Sequence, residues 1–329
     1  MHPALNIVPI VLLAFGVGFA TQRGSICGLL AARQFAETGR TSRLAAFVTA
    51  SLWALVLAVP LCWLTGNAAI LSPSFEVSAA AILGGALYGL GTFINGGCVF
   101  GTVARIASGN LSFLTALPGI ALGAGFGTVS VLPRLSFVSV DSPLSQPGIA
   151  PLAVLIVASG FACLALAGIA RAHRRAGLRI GQVLRASRWR TSLAMMIIGV
   201  LGGLLFATGT PWSYPALLKQ LGNSIWGNEV MFALPVIVGP AALFAGAITA
   251  GAAGGRFALR PFAGPQLARS LAGGAVMGFA TILIPGGNDS LLLSALPSLA
   301  MHGAVAYFAM LGVQIFLCMV SMHLKQRNS

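Results

Sequence analysis

Acidic residues are scarce in this 329-residue chain, where five Asp and Glu stand against nineteen Lys and Arg. Charged residues of both signs make up 7% of the sequence, whereas a soluble globular domain has about a quarter. A chain this poor in charge cannot cover itself with a hydrated surface, which excludes a soluble protein. Its hydrophobic share of 57% and mean hydropathy of +0.93 are typical of an integral membrane protein.

The cysteines lack the close spacing of a metal site or a disulfide framework. There is no Cys-x-x-Cys pair and no mixed Cys/His cluster, so we expect no metal and no cofactor. The sequence also lacks a Gly-x-x-x-x-Gly-Lys-Ser/Thr phosphate loop. We expect most of the cysteines to be small packing residues, namely Cys62, Cys163 and Cys318, whereas Cys27 and Cys98 lie in glycine-rich motifs.

The basic excess gives a net charge of +14, which on a membrane protein reports orientation and contact with anionic lipid. We therefore expect a lipid bilayer as a partner and no nucleic acid. Seven arginines lie between residues 171 and 190, and the positive-inside bias makes this loop cytoplasmic. Counting the predicted spans outward from this loop places the N-terminus outside and the C-terminus in the cytoplasm. We expect a multi-pass protein of the cell inner (plasma) membrane.

Apolar runs of about 20 residues can cross a bilayer, and the chain has nine of them. They cover 4–22, 43–65, 76–95, 112–133, 149–170, 192–209, 230–252, 268–285 and 300–323. Four shorter segments follow Gly, Pro, Ser or Asn clusters and predict half-helices, at 25–37, 98–108, 211–221 and 288–297. Such breaks persist in lipid only where they are buried in protein or line a cavity. The sequence therefore predicts an all-α membrane protein of about nine transmembrane helices and four half-helices.

The two ends of the chain resemble each other. The motif Gly-Gly-Ala-x-x-Gly begins at Gly84 and again at Gly273, and GVGFAT at 16–21 is similar to GLLFAT at 203–208. We predict one membrane domain with a first repeat at 1–145, a linking span and basic cytoplasmic loop at 146–191, and a second repeat at 192–329. Because the link crosses the membrane once, the second repeat is inverted, as in transporters whose substrate site lies between broken helices.

Two glycine-rich breaks are the strongest candidates for a substrate path. Gly96-Gly97-Cys98 and Gly286-Gly287-Asn288 each end an apolar run and open into another helical segment. Helix N-termini carry unpaired amide groups and partial positive charge, which favour an anion. A neutral thiol adds a weak S–H donor. We predict that the path is lined by Cys27, Cys98, Asn288, Gly96, Gly97, Gly286 and Gly287, with Gln22, Arg23, Arg105 and Asp289 as accessory residues.

Several of these residues have a second interpretation. Asn288 is also a good helix N-cap, which does not exclude substrate contact. Arg23 and Arg105 are explained equally by anion attraction and by topology. Trp212 and Tyr214 fall where the repeat places Cys27, and they predict either an outer vestibule or aromatic anchors at the membrane interface.

The segments TQRGSICGLLAARQ (21–34) and YGLGTFINGGCVFGTVARIASGN (88–110) resemble the two cysteine motifs of the YeeE/YedE family of sulfur-compound transporters. The resemblance covers essentially the whole chain. It implies uptake of a small sulfur-containing anion, thiosulfate, through a central path with three cysteines. By motif, Cys27 is the first and Cys98 the second, and Asn288 stands where the third would be. A cytoplasmic sulfur-handling protein is a possible partner implied by the family.

Three alternatives stay open at this point. In the first, the substrate is another small solute, such as sulfite, hydrosulfide or a selenium compound. A membrane sulfur-transfer enzyme would use Cys98 as a nucleophile, but no histidine falls in a cysteine motif to act as its base, so we do not expect an enzyme. A structural or receptor-like subunit would leave the four breaks unexplained.

Overall fold

The computed structural model of the protein is nearly all helical and describes residues 7–135, 137–177, 180–209, 212–227 and 232–327. The helices are α1 (Ile7–Gly24), α2 (Gly28–Thr38), α3 (Ser42–Thr65), α4 (Ala79–Asn95), α5 (Val99–Ile106), α6 (Ala116–Ser130), α7 (Ile149–Arg175), α8 (Ile180–Arg185), α9 (Thr191–Ala207), α10 (Tyr214–Ile225), α11 (Leu234–Ala253), α12 (Gly264–Leu283), α13 (Asn288–Ser290) and α14 (Met301–Arg327). Two short strands, β1 (Ser74–Phe75) and β2 (Ser139–Val140), pair antiparallel.

Seven helical stretches in the described residues are long and apolar enough to cross a membrane. Two of these stretches join a long helix to the short one after it, α1 with α2 and α4 with α5. The α12–α13 pair, bent by 53°, adds an eighth stretch if it is one span. At 17 residues, α9 is slightly short of a full span. The protein is thus a multi-pass membrane protein, and the count of nine spans stays a prediction.

Each predicted short segment contains a short helix. They are α2, α5, α10 and α13, and α13 continues in a π-helical turn, Leu291–Ala295. Residue 211 of the third predicted segment, residues 4–6 of the first predicted span and residues 230–231 of the seventh lie outside the described residues.

Glycine conformation explains two of the breaks. α4 ends at Gly96, whose φ of 80° is left-handed and whose N–H bonds back to the carbonyl groups of Thr92 and Phe93. Gly286, after α12, has a φ of 141°. Residues with a Cβ rarely adopt either conformation, so glycine lets the chain turn sharply at both points.

Small residues hold the helices close together. α12 packs against α4 and α6, α14 packs against α4 and α2, and α1 packs against α11 and α9. Where α4 crosses α12, a Cβ built on Gly91 would lie 2.8 Å from the carbonyl oxygen of Gly273. Lipid provides no hydrophobic force between helices, so this close backbone approach supplies the packing contact. By contrast, α7 packs mainly on α3, and only 17% of its apolar segment is buried inside the protein, so α7 lies at the periphery of the bundle.

Replacing Gly91 with alanine should destabilise the helix bundle. The added methyl would meet backbone atoms of α12, 2.8 Å away, which cannot move aside as a side chain can. Overpacking of this kind costs about 1–3 kcal/mol. The measurement is the thermal unfolding midpoint of the purified protein in detergent.

Gly160→Ala in α7 is the matched control, because a Cβ there would have no heavy atom within 4 Å. Its midpoint should stay the same or rise, since alanine favours a helix over glycine by up to about 1 kcal/mol. Equal midpoints for the two variants would contradict the packing argument.

Candidate functional site

Two of the predicted path residues meet at the starts of two short helices. Cys27 is the N-cap of α2 and Cys98 is the N-cap of α5, and both have extended backbone and buried side chains. The N–H of Gly28, the first residue of α2, donates to the Sγ of Cys98 over 3.1 Å. The Cys27 thiol lies within hydrogen-bonding reach of the same sulfur. Both thiols are free.

The space for the Cys27 thiol is created by a glycine one turn along α5. A Cβ built on Gly101 would lie 3.1 Å from the Cβ of Cys27 and closer still to its sulfur. The absence of a side chain at Gly101 therefore allows the α2 and α5 N-termini to approach each other.

Asn288 and Asp289 begin α13 and are buried, with 1% and 2% of their surface exposed. Within the described part of the chain, none of their four side-chain N and O atoms has a hydrogen-bond partner of good geometry. The Ser213 hydroxyl is near the Asp289 carboxyl, and Tyr88 contacts the Asn288 backbone. A buried polar group without a partner costs about 1–3 kcal/mol, so these four atoms make the start of α13 a candidate binding site.

Tyrosine residues connect the cysteines to this pair. Tyr88 in α4 lies beside both Asp289 and Cys98. Tyr214 begins α10, donates its hydroxyl hydrogen to the carbonyl of Val99 over 3.0 Å, and lies near Asp289 and Cys98. Both tyrosines are fully buried.

Gln314 in α14 completes this region. It is 1% exposed, neither of its amide atoms has a partner among the described residues, and its Oε1 lies next to Gly28. We call this set of residues the central layer: Cys27, Cys98, Tyr88, Tyr214, Asn288, Asp289 and Gln314.

Two cavities lie at opposite ends of the bundle, the smaller one lined by Cys27 and the larger one by Ser213 and Gly287, which lie next to Asp289. The larger cavity, about 520 Å³, is lined by Trp212, Ser213, Lys219, Gly286, Gly287 and Ser290, among others. The smaller cavity, about 160 Å³, is lined by residues that include Gln22, Cys27, Gly101, Arg105 and Arg256. Helix α9 shows that the two cavities lie at opposite ends. The N–H of Trp189, just before α9, donates to the carbonyl of Arg23 at the end of α1, and Phe206 at the other end of α9 lines the larger cavity.

The predicted glycines directly precede two members of the layer in the sequence, Cys98 and Asn288. Gly286 and Gly287 line the larger cavity, and the N–H of Gly287 donates to the Ser290 hydroxyl over 2.8 Å. The carbonyl of Gly97 accepts from the Asn95 amide over 2.7 Å, which fixes the turn before Cys98.

The accessory residues separate into two groups. Gln22 and Arg105 line the smaller cavity, where Gln22 Nε2 donates to the Ser108 hydroxyl over 2.8 Å. Arg23 does not line it: its Nη1 donates to the carbonyl of Ala186 over 2.7 Å, and its guanidinium covers the Phe19 ring. Arg23 therefore anchors the basic loop to α1.

Arg256 is a lining residue that the sequence did not single out. It donates to the carbonyl of Gln22 and to the Ser25 hydroxyl, so it closes the end of α1 against the smaller cavity. Burial, together with the nearby Arg188 and Arg23, lowers the pKa of the Arg256 guanidinium. In the sequence, Arg256 follows an apolar span as other topogenic arginines do, and no motif around it predicts a place in the cavity lining.

The predicted aromatic pair lies inside the protein. Trp212 is 1% and Tyr214 2% exposed, and Trp212 packs against Phe206 and lines the larger cavity. The interpretation as interfacial anchors is therefore wrong, and the vestibule interpretation fits Trp212.

A protein-family model described as sulphur transport matches residues 23–315. The matched region contains both thiols, the α13 start and both cavities' main lining helices. No individual curated protein gives a significant match. The match covers most of the chain and indicates a transporter rather than an enzyme. The chain belongs to the YeeE/YedE sulphur-transport family, and we conclude that it is a multi-pass membrane protein that transports a sulfur compound.

Proposed function

We propose that the protein takes up a small sulfur-containing anion, thiosulfate, through the central layer. One observation carries the proposal: two free, buried thiols meet at the N-termini of α2 and α5, between two cavities at opposite ends of the bundle. Such an arrangement offers a narrow polar point of passage inside an otherwise apolar protein.

The α2 and α5 N-termini supply the attraction for an anion. A dianion loses its hydration when it leaves water, so the path must present hydrogen-bond donors. Each helix N-terminus offers unpaired amides and about half a unit of positive charge. Neutral thiols add S–H donors and a polarizable surface that suits a sulfur atom.

Release is as important as binding in a transport path. The cations near the path lie in the cavities, with Lys219 in the larger and Arg105 in the smaller. No Lys or Arg of the described ranges belongs to the central layer, so no fixed cation holds the anion at the narrowest point. The cavities attract the anion and the layer lets it pass.

Asn288 takes the place of the family's third cysteine in this scheme. Its Nδ2 is a stronger donor than a thiol and has no partner among the residues that the structure describes. The anion then moves from the larger cavity past Asn288 to Cys98, and from there to Cys27 at the smaller cavity.

The helix contacts support an inverted repeat with two-fold pseudosymmetry. If α1 corresponds to α9 and α3 to α11, the contact between α1 and α11 has its counterpart in the contact between α9 and α3, and both occur. If α2, α4 and α6 correspond to α10, α12 and α14, the α6–α12 contact matches α14–α4, and the α6–α10 contact matches α14–α2. This pattern supports repeats at 1–145 and 192–329 joined by 146–191, with nine spans in total.

We further propose an inner-membrane location with the larger cavity facing outside. The basic segment near Trp189 packs at the end of α1 that carries the smaller cavity, and basic segments favour the cytoplasmic side. The N-terminus is then outside and the C-terminus inside. A cytoplasmic sulfur-handling protein would meet the end with the smaller cavity.

Asn288 also favours the competing substrate, another small anion such as sulfite or hydrosulfide, or a selenium compound, because an amide is less suited to sulfur than a thiol is. A sulfur-transfer enzyme has less support. The described histidines lie near helix ends and none belongs to the central layer, and His302 accepts from the N–H of Phe75 over 3.0 Å.

Removing a thiol of the central layer should abolish most uptake. In proteoliposomes, Cys98→Ala and Cys27→Ala should lower the uptake of radiolabelled thiosulfate about tenfold or more, because a hydrogen bond to a charged group is worth about 1.5–3 kcal/mol. Cys62→Ala is the control, since Cys62 is equally buried but packs in a separate apolar cluster. Equal losses in all three variants, or flux of sulfite without flux of thiosulfate, would contradict the proposal.

Position 288 should accept a thiol but not an apolar side chain. Asn288→Cys should keep or increase thiosulfate uptake because it restores the family's third donor, whereas Asn288→Leu should remove it. Both variants are compared by uptake after size-exclusion chromatography has shown that they fold. Complete loss of uptake in a folded Asn288→Cys protein would show that this position is not part of the path.

The two thiols should differ in access. Cys27 lines the smaller cavity, whereas Cys98 is 0% exposed. With Cys62, Cys163 and Cys318 replaced by serine, a membrane-impermeant thiol reagent should label Cys27 from the smaller-cavity side first, and thiosulfate should slow the labelling. Mass spectrometry of inside-out and right-side-out vesicles measures this. Faster labelling of Cys98 would be inconsistent with the geometry.

A further inference from the structure

The Asp289 carboxyl is an acid inside a membrane protein without a counter-charge. It is 2% exposed, and neither carboxyl oxygen has a hydrogen-bond partner of good geometry in the described ranges. No described Lys, Arg or His forms an ion pair with it. Ionisable groups within membrane segments are costly to keep and usually serve the transport of a substrate or a proton.

The groups around Asp289 are neutral donors and weak acids. α4 presents Tyr88, and α10 presents Tyr214, with the Ser213 hydroxyl just before it. Asn288 precedes it on its own helix. None of these groups offsets a full negative charge, and burying an unpaired carboxylate costs more than protonating it. The geometry therefore favours the protonated acid.

Water in the larger cavity can deliver this proton. Ser213 and Gly287 both line that cavity, and both lie against the carboxyl, since a Cβ built on Gly287 would be 2.7 Å from Asp289 Oδ1. Asp289 thus lies directly behind the residues that line the larger cavity.

An anion in the central layer and an ionised Asp289 would repel each other at close range. Asn288 directly precedes Asp289, and Tyr88 interacts electrostatically with both Asp289 and Cys98. Because little water screens charges at this depth, the anion can pass only when the carboxyl is neutral. Occupancy of the layer by the anion and by a proton on Asp289 is then linked.

We propose that Asp289 is a proton-binding site and that a proton crosses the membrane with the anion. The inference rests on the proposed anion transport. A hydronium ion in the larger cavity gives a proton to the carboxylate, so that one O–H bond of the hydronium breaks, an O–H bond forms on Asp289, and a water molecule is left. The anion then moves past the neutral acid to the thiols. The O–H bond of Asp289 breaks when a water molecule that enters from the smaller cavity takes the proton, which restores the carboxylate. No electron is transferred, and the covalent bonds of the anion do not change.

The test uses the full-length protein in proteoliposomes that contain a trapped pH-sensitive dye, with the membrane potential clamped by potassium and valinomycin. Adding thiosulfate outside should acidify the interior in step with sulfur entry, at a ratio near one proton for each anion. Uptake should rise as the external pH falls, because the proton-bound form of Asp289 becomes more populated.

Asp289→Asn mimics the protonated acid but cannot release a proton. Its thiosulfate uptake should no longer vary with pH and should not acidify the interior. Asp141→Asn is the control, since Asp141 is exposed in the segment before α7 and should behave as the unmodified protein does. Acidification that persists in Asp289→Asn would overturn the proposal.

The outcomes separate this inference from the proposed function. Thiosulfate entry into vesicles of the unmodified protein without proton entry overturns the proton site and leaves the thiosulfate transporter intact. Absence of thiosulfate entry overturns the proposed function, and the proton inference with it. If Asp289→Asn does not fold, the ratio of proton to sulfur flux in the unmodified protein decides the question.

Discussion

The unpaired backbone amides at broken helices are the constraint on which the structure depends. Every helix start leaves N–H groups without an intrahelical partner, and a bilayer provides no water to bind them. The protein places two such starts against each other, so that the first amide of α2 donates to the Cys98 sulfur at the start of α5. In the proposed function, these same amides bind the anion, since helix N-termini favour negative charge.

Close packing makes this meeting of helix ends possible. The α4–α12 crossing at Gly91 and Gly273 brings the helices that precede α5 and α13 to backbone contact. Gly101 then removes the side chain that would displace the Cys27 thiol. A membrane protein without a hydrophobic force between its helices relies on such small residues, so the glycine content of this chain serves both the bundle and the site.

The helix breaks can be predicted from the sequence, because glycine clusters interrupt apolar runs at points where the chain turns. Gly96 and Gly286 have the positive φ angles that favour glycine at such turns. The meeting of Cys27 with Cys98 follows from the motifs as well. The position of Gln314 in the central layer could not be predicted from the sequence. Its neighbour Gly28 is nearly three hundred residues away along the chain, and no local pattern encodes that contact. The sequence predicts Arg23 as an accessory residue because an arginine near the path attracts anions, whereas its tertiary contacts turn it towards the basic loop.

In the proposed transport path, attraction and passage are separated in space. Cations line the two cavities, at Lys219 and Arg105, where their field attracts an anion. At the narrowest point a fixed cation would bind the anion too tightly, and only neutral donors and one acid are present in the central layer that the structure describes. An acid at that point is compatible with anion passage only while it carries a proton, so the charge that would block the path is also the charge that can regulate it.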